Sequence, residues 1–218
     1  GIIAQPDWEN VDAFRVLGKP KLFFGVTAGN MDSCVNKFTA SRKIRRTDAY
    51  SPGGQAGLRP DRATIPYTSR VKQAYKGVPV VIGGVEASLR RFAHFDFWQE
   101  KMRRSILLDA KADLLVYGMA EITVVELAKK LADGEGVEGC RQLRGVTYAL
   151  GANGKLPEGI DVLEIPTFEE CKRNPRAFND ATRILYQESN PHCGKILVQR
   201  DGSRRIVQNP AALPLTTG

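Results

Sequence analysis

The sequence predicts an α/β fold in which a mostly parallel sheet carries helices on its faces. Short apolar runs of the kind found in strands alternate with segments of helical periodicity along most of the chain. The runs are continuously apolar rather than alternating, which is typical of strands buried on both faces. A chain of 218 residues is long enough for one substantial domain of this kind.

Five apolar runs are the clearest strand candidates. They are Gly1–Ala4, Leu22–Val26, Val78–Ile82, Ala112–Tyr117 and Val146–Leu150. Their short length and their β-branched, aromatic and leucine content favour strands over helices. Because the chain opens directly on a strand-like run and closes on the coil-like segment 210–218, we expect it to be a piece of a longer protein.

Segments with helical periodicity separate these runs. The first begins near Pro66, a residue favoured in a first helical turn, and another is followed by Gly134, a stop signal. The apolar residues predicted to share helix faces are Tyr67, Val71, Ala74 and Tyr75; Trp98, Met102 and Ile106; Val124, Leu127, Ala128 and Leu131; and Phe178, Ala181 and Leu185. The Pro, Gly and Asp content of 51–62 predicts an excursion from the core.

A smaller unit is predicted to follow the α/β domain. We divide the chain into residues 1–150, the α/β domain, and residues 151–218, which hold a connection, a helix and a β-hairpin. Pro157, Gly159 and Pro166 mark the connection. The hairpin is indicated by Asp201-Gly202, a turn sequence between two strand-like runs, Lys195–Gln199 and Arg205–Gln208.

The chain is basic, with 32 Lys and Arg against 24 Asp and Glu, a net charge of +8. The positive charges cluster at Arg42–Arg46, Arg90-Arg91, Lys101–Arg104 and Arg204-Arg205. Such clusters can attract nucleic acid or another polyanion through phosphate contacts. The simpler interpretation is a solvated basic surface, which we favour because no aromatic and basic RNA-binding motif accompanies the charges in the sequence.

The composition also bears on the cellular location of the protein and on whether this chain binds a metal. No apolar run approaches the ~20 residues of a membrane helix, and no signal peptide is evident, so we expect a cytoplasmic protein with no membrane partner. Metal sites usually show a close pair of cysteines, and the four cysteines here are scattered, which predicts reduced thiols and no metal site in this chain. They are Cys34, Cys140, Cys171 and Cys193. His94 lies among aromatic residues and is interpreted as a packed or edge histidine.

Ligands of open parallel sheets bind beyond the carboxyl ends of the strands. Three loops at such ends are unusual, and their candidate substrate-facing or cofactor-facing residues are Asn30, Asp32, Gly83, Gly84, Glu86, Ser88, Gly118 and Glu121. The glycine pair is explained equally by a tight turn or by close approach to a ligand. Glu86 and Ser88 could instead cap the following helix, and Glu121 could be an ordinary first-turn residue.

Motifs of the common nucleotide-binding and hydrolase families are missing. The chain has no G-x-G-x-x-G, no G-x-x-x-x-G-K-[ST] and no G-x-S-x-G. The residues alone therefore indicate an α/β domain with an unknown ligand and no catalytic residue.

Several motifs closely resemble the amino-terminal part of the YgiQ family of radical-SAM proteins. They are GIIAQPDW at Gly1–Trp8, LFFGVTAGNMDS at Leu22–Ser33, RPDRAT at Arg59–Thr64, GGVEASLRR at Gly83–Arg91, DAKAD at Asp109–Asp113, ESNP at Glu188–Pro191, and Asn209-Pro210 with PLTT at Pro214–Thr217. The resemblance covers most of the chain and is weakest between Gly151 and Arg173.

The resemblance implies that the parent protein is a radical-SAM enzyme. Such enzymes hold a [4Fe–4S] cluster on C-x3-C-x2-C and use it to cleave SAM, and none of the four cysteines has that spacing. The cluster and SAM are therefore expected in the longer parent and not in this chain. The implied role is an accessory amino-terminal domain that covers or shapes the active site of a barrel in the same polypeptide, with an unknown substrate. An earlier strand and helix are implied before Gly1, so that the sheet would lack one strand.

The layout also resembles, more distantly, the Rossmann-like cobalamin-binding domain that precedes the barrel in many radical-SAM enzymes. In that domain one strand ends in a Gly-Gly turn and a later strand ends in a Gly and a Glu that opens a helix; Gly83-Gly84, and Gly118 with Glu121, match those places. Cobalamin is disfavoured because no D-x-H-x-x-G histidine follows any strand. The alternative function, from a different class, is a non-catalytic basic module that binds RNA or another polyanion.

Overall fold

A seven-stranded sheet forms the centre of the computed structural model, which describes residues 1–157 and 161–215. In chain order the strands are β1 Phe24–Thr27, β2 Val80–Gly83, β3 His94–Asp96, β4 Lys101–Arg103, β5 Leu114–Val116, β6 Val146–Leu150, β7 Val162–Ile165, β8 Ile196–Asp201 and β9 Arg204–Gln208. The main sheet has the order β1-β2-β5-β6-β9-β8-β7, and β3 pairs with β4 in a separate hairpin.

Helices cover both faces of this sheet. They are α1 Ser33–Lys37, α2 Thr64–Ala74, α3 Gly84–Leu89, α4 Ile106–Asp109, α5 Glu121–Ala132, α6 Gly136–Gly139, α7 Phe168–Arg173 and α8 Pro175–Gln187. Short 3-10 turns occur at Val11–Phe14, Pro52–Gly54 and Cys140–Gln142. Within the described residues, none of these helices has both the length and the apolar character needed to cross a membrane. The cytoplasmic location stays a prediction.

The predicted α/β class is confirmed, and its Rossmann-like part is the β1-β2-β5 half. These three strands are parallel and are connected by crossovers that contain α2 and then α3 with α4. The other half is mixed: β5-β6, β6-β9 and β9-β8 are antiparallel, whereas β7-β8 is parallel. The short connection from β8 to β9 permits only an antiparallel pair, while the parallel strands require longer crossovers.

Side chains that alternate along the central strands fill two apolar layers. In β2, Val80 and Ile82 belong to one buried cluster and Val81 to the other. In β5, Leu115 packs on the first side while its neighbours Leu114 and Val116 pack on the second. Strands buried on both faces need continuous apolar runs, which explains why these strands were visible in the sequence.

The predicted strand at Gly1–Ala4 is wrong for this chain. That segment has no regular structure, although its composition favours a strand. A strand exists only if its backbone N–H and C=O groups find a neighbouring strand, and among the described residues none pairs with this segment. The segment instead lines a cleft of about 1080 Å³ together with β1, an edge strand.

The predicted helix face of Trp98, Met102 and Ile106 is also wrong. Trp98 lies in a turn, Met102 in β4, and Ile106 at the start of α4. The turn forms because the Asp96 carboxylate accepts the backbone N–H of Gln99 at 2.9 Å. A side chain that bonds to nearby backbone in this way competes with helix formation.

The predicted carboxyl-terminal helix and hairpin are present, whereas the predicted connection also holds β7 and α7. The amphipathic helix is α8, and the β8-β9 hairpin turns at Gly202-Ser203, one residue later than Asp201-Gly202. The hairpin is continuous with the main sheet because β9 pairs with β6. The division of the chain at residue 150 therefore stays a prediction, and the sheet itself crosses that boundary. Gly159, one of the predicted connection residues, and residues 216–218 lie outside the described residues.

Candidate functional site at the carboxyl edge of the sheet

The three predicted loops meet at one edge of the sheet. Thr27 and Gly83 are paired at the carboxyl ends of β1 and β2, and β5 lies next to β2. The loop after β5 contacts α3, since the backbone N–H of Gly118 lies 3.4 Å from the Ser88 hydroxyl oxygen. The strand-end reasoning therefore placed all three loops correctly relative to one another.

Gly84 is required by local geometry. Its φ of 79° lies in the left-handed region, and a Cβ built there would overlap the Thr27 hydroxyl at the end of β1. Gly83 is tight as well, because its Cβ would lie 3.2 Å from the carbonyl oxygen of Val116. The glycine pair thus forms a closely packed strand-to-helix turn, which is one of the two alternatives that the sequence left open.

We expect Gly84→Ala to lower the free energy of unfolding by more than the ~1–2 kcal/mol that a left-handed L-residue costs by itself, because the methyl group also collides with Thr27. Gly118→Ala is the matched control: its φ is 69°, and no described atom outside its chain neighbours lies within 4 Å of its added Cβ. Urea denaturation of both variants measures the difference. Equal losses would show that the contact with Thr27 has no energetic weight.

Glu86 is committed to the interior. It is 1% exposed, and one of its oxygens accepts the backbone N–H of Ser33 at 2.9 Å as well as the Ser33 hydroxyl. The other oxygen accepts the backbone N–H of Thr64 at 3.0 Å. Because Ser33 and Thr64 are the first residues of α1 and α2, one carboxylate holds the starts of two helices against α3.

Asp32 is likewise buried, at 4% exposure. It caps α1 by accepting the backbone N–H of Cys34 at 2.9 Å and that of Val35 at 3.2 Å. Its second oxygen forms an ion pair with Arg90, whose side chain is 10% exposed. Burial lowers the pKa of the Arg90 guanidinium from its ordinary value. This pair ties the loop after β1 to the end of α3.

The remaining candidates lie at the surface of the edge. Asn30, Gly84, Gly118 and Glu121 are exposed, and Ser88 is half-buried. Glu121 is the first residue of α5, where the helix dipole favours a negative charge. Around these residues the edge exposes apolar side chains of α3, of the loop that leads into α5 and of the first turn of α5. They are Val85 (49%), Leu89 (66%), Met119 (60%) and Ile122 (44%).

Arg91 is a residue of this edge that sequence reasoning missed. Its guanidinium lies 4.9 Å from the ring centroid of Tyr117, and its Nη1 donates to the backbone carbonyl of Ser88 at 2.6 Å. Nε donates to the side chain of Gln208 in β9, so Arg91 joins α3, the residue after β5, and β9. Burial lowers its pKa from the ordinary value. In the sequence Arg91 is recognisable only as one member of a basic cluster. No local pattern indicates that it packs on an aromatic ring.

The residues present do not fit an iron–sulfur cluster. Such a cluster needs several convergent thiolates, and the described residues contain no group of three His, Cys, Asp or Glu side chains placed to hold a metal. Burial raises the pKa of Cys34 and of Cys171 to about 11, which disfavours the thiolate form. We therefore assign no chemical step in this chain to a cluster.

His94 is a packed histidine, as its aromatic surroundings indicated. Its Nδ1 lies 3.1 Å from the carbonyl oxygen of Phe92, and burial lowers its pKa to about 4. The positive charges of Arg90 and Arg103 act in the same direction. At neutral pH the ring is uncharged.

Comparison with known proteins gives the family. The family described as "Radical SAM N-terminal" matches residues 1–218. Similar relatives are UPF0313 proteins of Geobacter sulfurreducens, 53% identical over 215 residues; of Thermotoga neapolitana, 50% identical over 216 residues; and of Vibrio cholerae, 41% identical over 268 residues. These alignments cover 99%, 99% and 100% of this chain. No solved structure matches the chain.

The same alignments cover only 35%, 37% and 34% of the respective relatives, so the chain spans about a third of the length of the curated relatives it matches. The match extends over the loops at the carboxyl edge as well as over the sheet, since it includes the whole chain. The resemblance seen in the sequence motifs is thereby confirmed, and the chain belongs to the Radical SAM N-terminal family.

Proposed function

We propose that this chain is the accessory domain of a longer radical-SAM enzyme, and that the carboxyl edge of its sheet faces the active site carried by the rest of that polypeptide. The substrate is unknown. The [4Fe–4S] cluster and SAM belong, in this proposal, to the part of the polypeptide outside residues 1–218.

The observation that carries the proposal is the character of the carboxyl edge. Its ionisable groups Asp32, Glu86 and Arg90 are buried and bonded internally, so the edge offers few reactive side chains. What it does offer is a glycine-lined surface with exposed apolar residues, including Leu89 and Met119. Exposed apolar side chains that cluster at one edge are typical of a surface that another part of a protein covers.

The lateral edge of the sheet at β1 supports the same view. β1 is an edge strand, and Gly25 and Thr27 within it are exposed along the cleft of about 1080 Å³. Natural proteins cover or interrupt exposed strand edges because such edges associate with other strands. A domain with an uncovered edge and an uncovered apolar surface fits a polypeptide in which more chain packs around it.

A labelling experiment on the full-length protein tests the proposal. Leu89→Cys places a thiol at the carboxyl edge, and Tyr186→Cys places one on α8, where Tyr186 is 82% exposed. Both are made in a Cys193→Ser background, because Cys193 is an exposed thiol. We expect maleimide to label the Leu89→Cys thiol at least tenfold more slowly than the Tyr186→Cys thiol. Equal labelling rates would mean that nothing covers the carboxyl edge.

A further inference from the structure

A second surface lies on the β3-β4 hairpin and the loop that packs against it. Loop residues 38–46 fold back on themselves, with an antiparallel bridge between Phe38 and Ile44. Trp98 lies in the turn that connects β3 and β4. Its ring is 6.1 Å from the ring of Phe38. The Arg42 guanidinium lies 4.7 Å from the ring centroid of Phe97. We call residues 42–46 and 95–101 the basic–aromatic platform.

Aromatic rings of the platform point outward. In β3 the side chain of Asp96 is buried, whereas Phe95 is 50% exposed, as the alternation of a strand requires. Phe97, two residues after Phe95, is 42% exposed, and Ile44 beside the loop bridge is 63% exposed. Two exposed phenylalanine rings in one short hairpin therefore form a surface on which planar groups can stack.

The platform also carries cations that have no ion-pair partner among the described residues. Lys43, Arg46 and Lys101 are exposed, and none of them forms an ion pair with any residue that the structure describes. The platform contains a single exposed carboxylate, Glu100, and Arg42 is paired with it at 2.6 Å. The excess positive charge is therefore available to an outside partner.

Other basic residues of the predicted clusters behave differently. Arg90 pairs with Asp32, Arg103 with Asp109, and Arg104 with Asp201. Arg45 donates to the backbone carbonyls of Val35 and Phe38. These side chains help to hold the fold together, so most cluster members outside the platform are bonded internally; Arg204, exposed on β9, is an exception among the described residues.

We propose that the basic–aromatic platform binds single-stranded nucleic acid. Bases stack on Phe95 and Phe97, and the phosphates lie against Lys43, Arg46 and Lys101. Aromatic rings set among basic side chains are the arrangement by which proteins bind single strands without sequence preference, because every base has a face that can stack. The free positive charge favours a polyanion over a neutral protein partner. This surface is additional to the carboxyl edge, and the inference does not depend on the proposed function.

In the sequence Lys101 lies close to the aromatic run, but nothing there places the loop residues 42–46 beside it. The basic run Arg42–Arg46 and the aromatic run Phe95–Trp98 are about fifty residues apart in the chain, and neither matches an RNA-binding motif. The lack of an RNA-binding motif in the sequence favours a solvated basic surface, whereas the fold brings the two runs together.

The test uses the full-length protein and a fluorescent 12-nucleotide single strand of mixed sequence, with affinity measured by anisotropy between 50 and 200 mM salt. Three phosphate contacts predict a slope of log K against log salt of about −2 for a single strand. The triple variant Lys43→Gln, Arg46→Gln, Lys101→Gln is expected to make the measured slope about 2 less negative than that of the unmodified protein. The double variant Phe95→Ala, Phe97→Ala is expected to weaken binding at least tenfold at every salt concentration.

Matched controls separate the platform from general charge. Lys21→Gln, Lys76→Gln, Lys129→Gln removes the same number of charges from exposed positions elsewhere, and Tyr186→Ala removes an exposed aromatic ring from α8. Both controls should bind as the unmodified protein does.

The proposal is overturned if the platform triple variant and the control triple variant bind alike, if the single strand does not bind at 50 mM salt, or if a duplex of the same sequence binds more tightly. Lys43, Arg46 and Lys101 are exposed, and their replacement is not expected to affect folding. The triple variant therefore tests the proposal even if the phenylalanine double variant does not fold.

Discussion

Replacing Glu86 with alanine is expected to lower the free energy of unfolding by about 3 kcal/mol or more, because each buried donor left without an acceptor costs about 1–3 kcal/mol. The change removes the acceptor of the Ser33 and Thr64 backbone N–H groups and of the Ser33 hydroxyl. It also leaves a small void at a position that is 1% exposed. Since domains are stable by only about 5–15 kcal/mol, a large part of the total would be lost. Urea denaturation followed by circular dichroism measures the change.

Glu121→Ala is the control for this prediction. Glu86 and Glu121 both follow strands at the same edge, but Glu121 is exposed. Its replacement is expected to change stability by no more than about 0.5 kcal/mol. If the two variants lost the same stability, the bonds of Glu86 to the starts of α1 and α2 would not be structural, and a ligand-facing role for Glu86 would return.

Asp32→Ala is expected to cost about 3–5 kcal/mol, since it leaves the Arg90 guanidinium buried without its partner. The same change removes the side-chain cap of α1. Asp32→Asn should cost less than Asp32→Ala, because the amide oxygen can still accept the N–H groups of Cys34 and Val35. Thermal and urea unfolding of the two variants separate the contribution of the ion pair with Arg90, which both variants lose, from that of the side-chain cap of α1, which only Asp32→Ala loses.

A double-mutant cycle checks the partner assignment. Arg90→Met removes the charge that Asp32 faces and leaves an apolar side chain in its place. Combined with Asp32→Asn, it should cost clearly less than the sum of the two single changes, by an interaction energy of about 0.5–3 kcal/mol, because the residues are in contact. Strict additivity would mean that the two charges do not stabilise each other in the folded protein.

The parts of the fold that could be predicted from the sequence are those in which local pattern and burial agree. Val146–Leu150 was predicted with its observed bounds because an apolar run in a central strand is buried on both faces. Gly1–Ala4 has an equally apolar pattern, yet no strand forms, because pairing depends on a neighbour that the run itself does not specify. Trp98 and Met102 have helical spacing, but no helix forms there, because the Asp96 carboxylate accepts the backbone N–H of Gln99 and stabilises a turn instead.

The candidate site was predictable in position but not in chemistry. That the loops after β1, β2 and β5 converge follows from parallel pairing, which the sequence indicated. Whether a carboxylate faces solvent or the interior depends on contacts far away in the sequence. Glu86 is buried because Ser33, 53 residues earlier, and Thr64, 22 residues earlier, place their N–H groups against it. The side chains of the loop at Arg42 and of the hairpin at Phe97 meet for the same non-local reason.

The most direct test of the central claim, that this chain is the accessory domain of a radical-SAM enzyme, is to measure iron content and SAM cleavage. Full-length protein and the chain of residues 1–218 would be prepared in parallel without oxygen and supplied with iron, sulfide, SAM and a reductant. Our account predicts bound iron and 5′-deoxyadenosine from the full-length protein and neither from residues 1–218. A full-length protein that binds no iron and cleaves no SAM, or a 1–218 chain that does both, would contradict it.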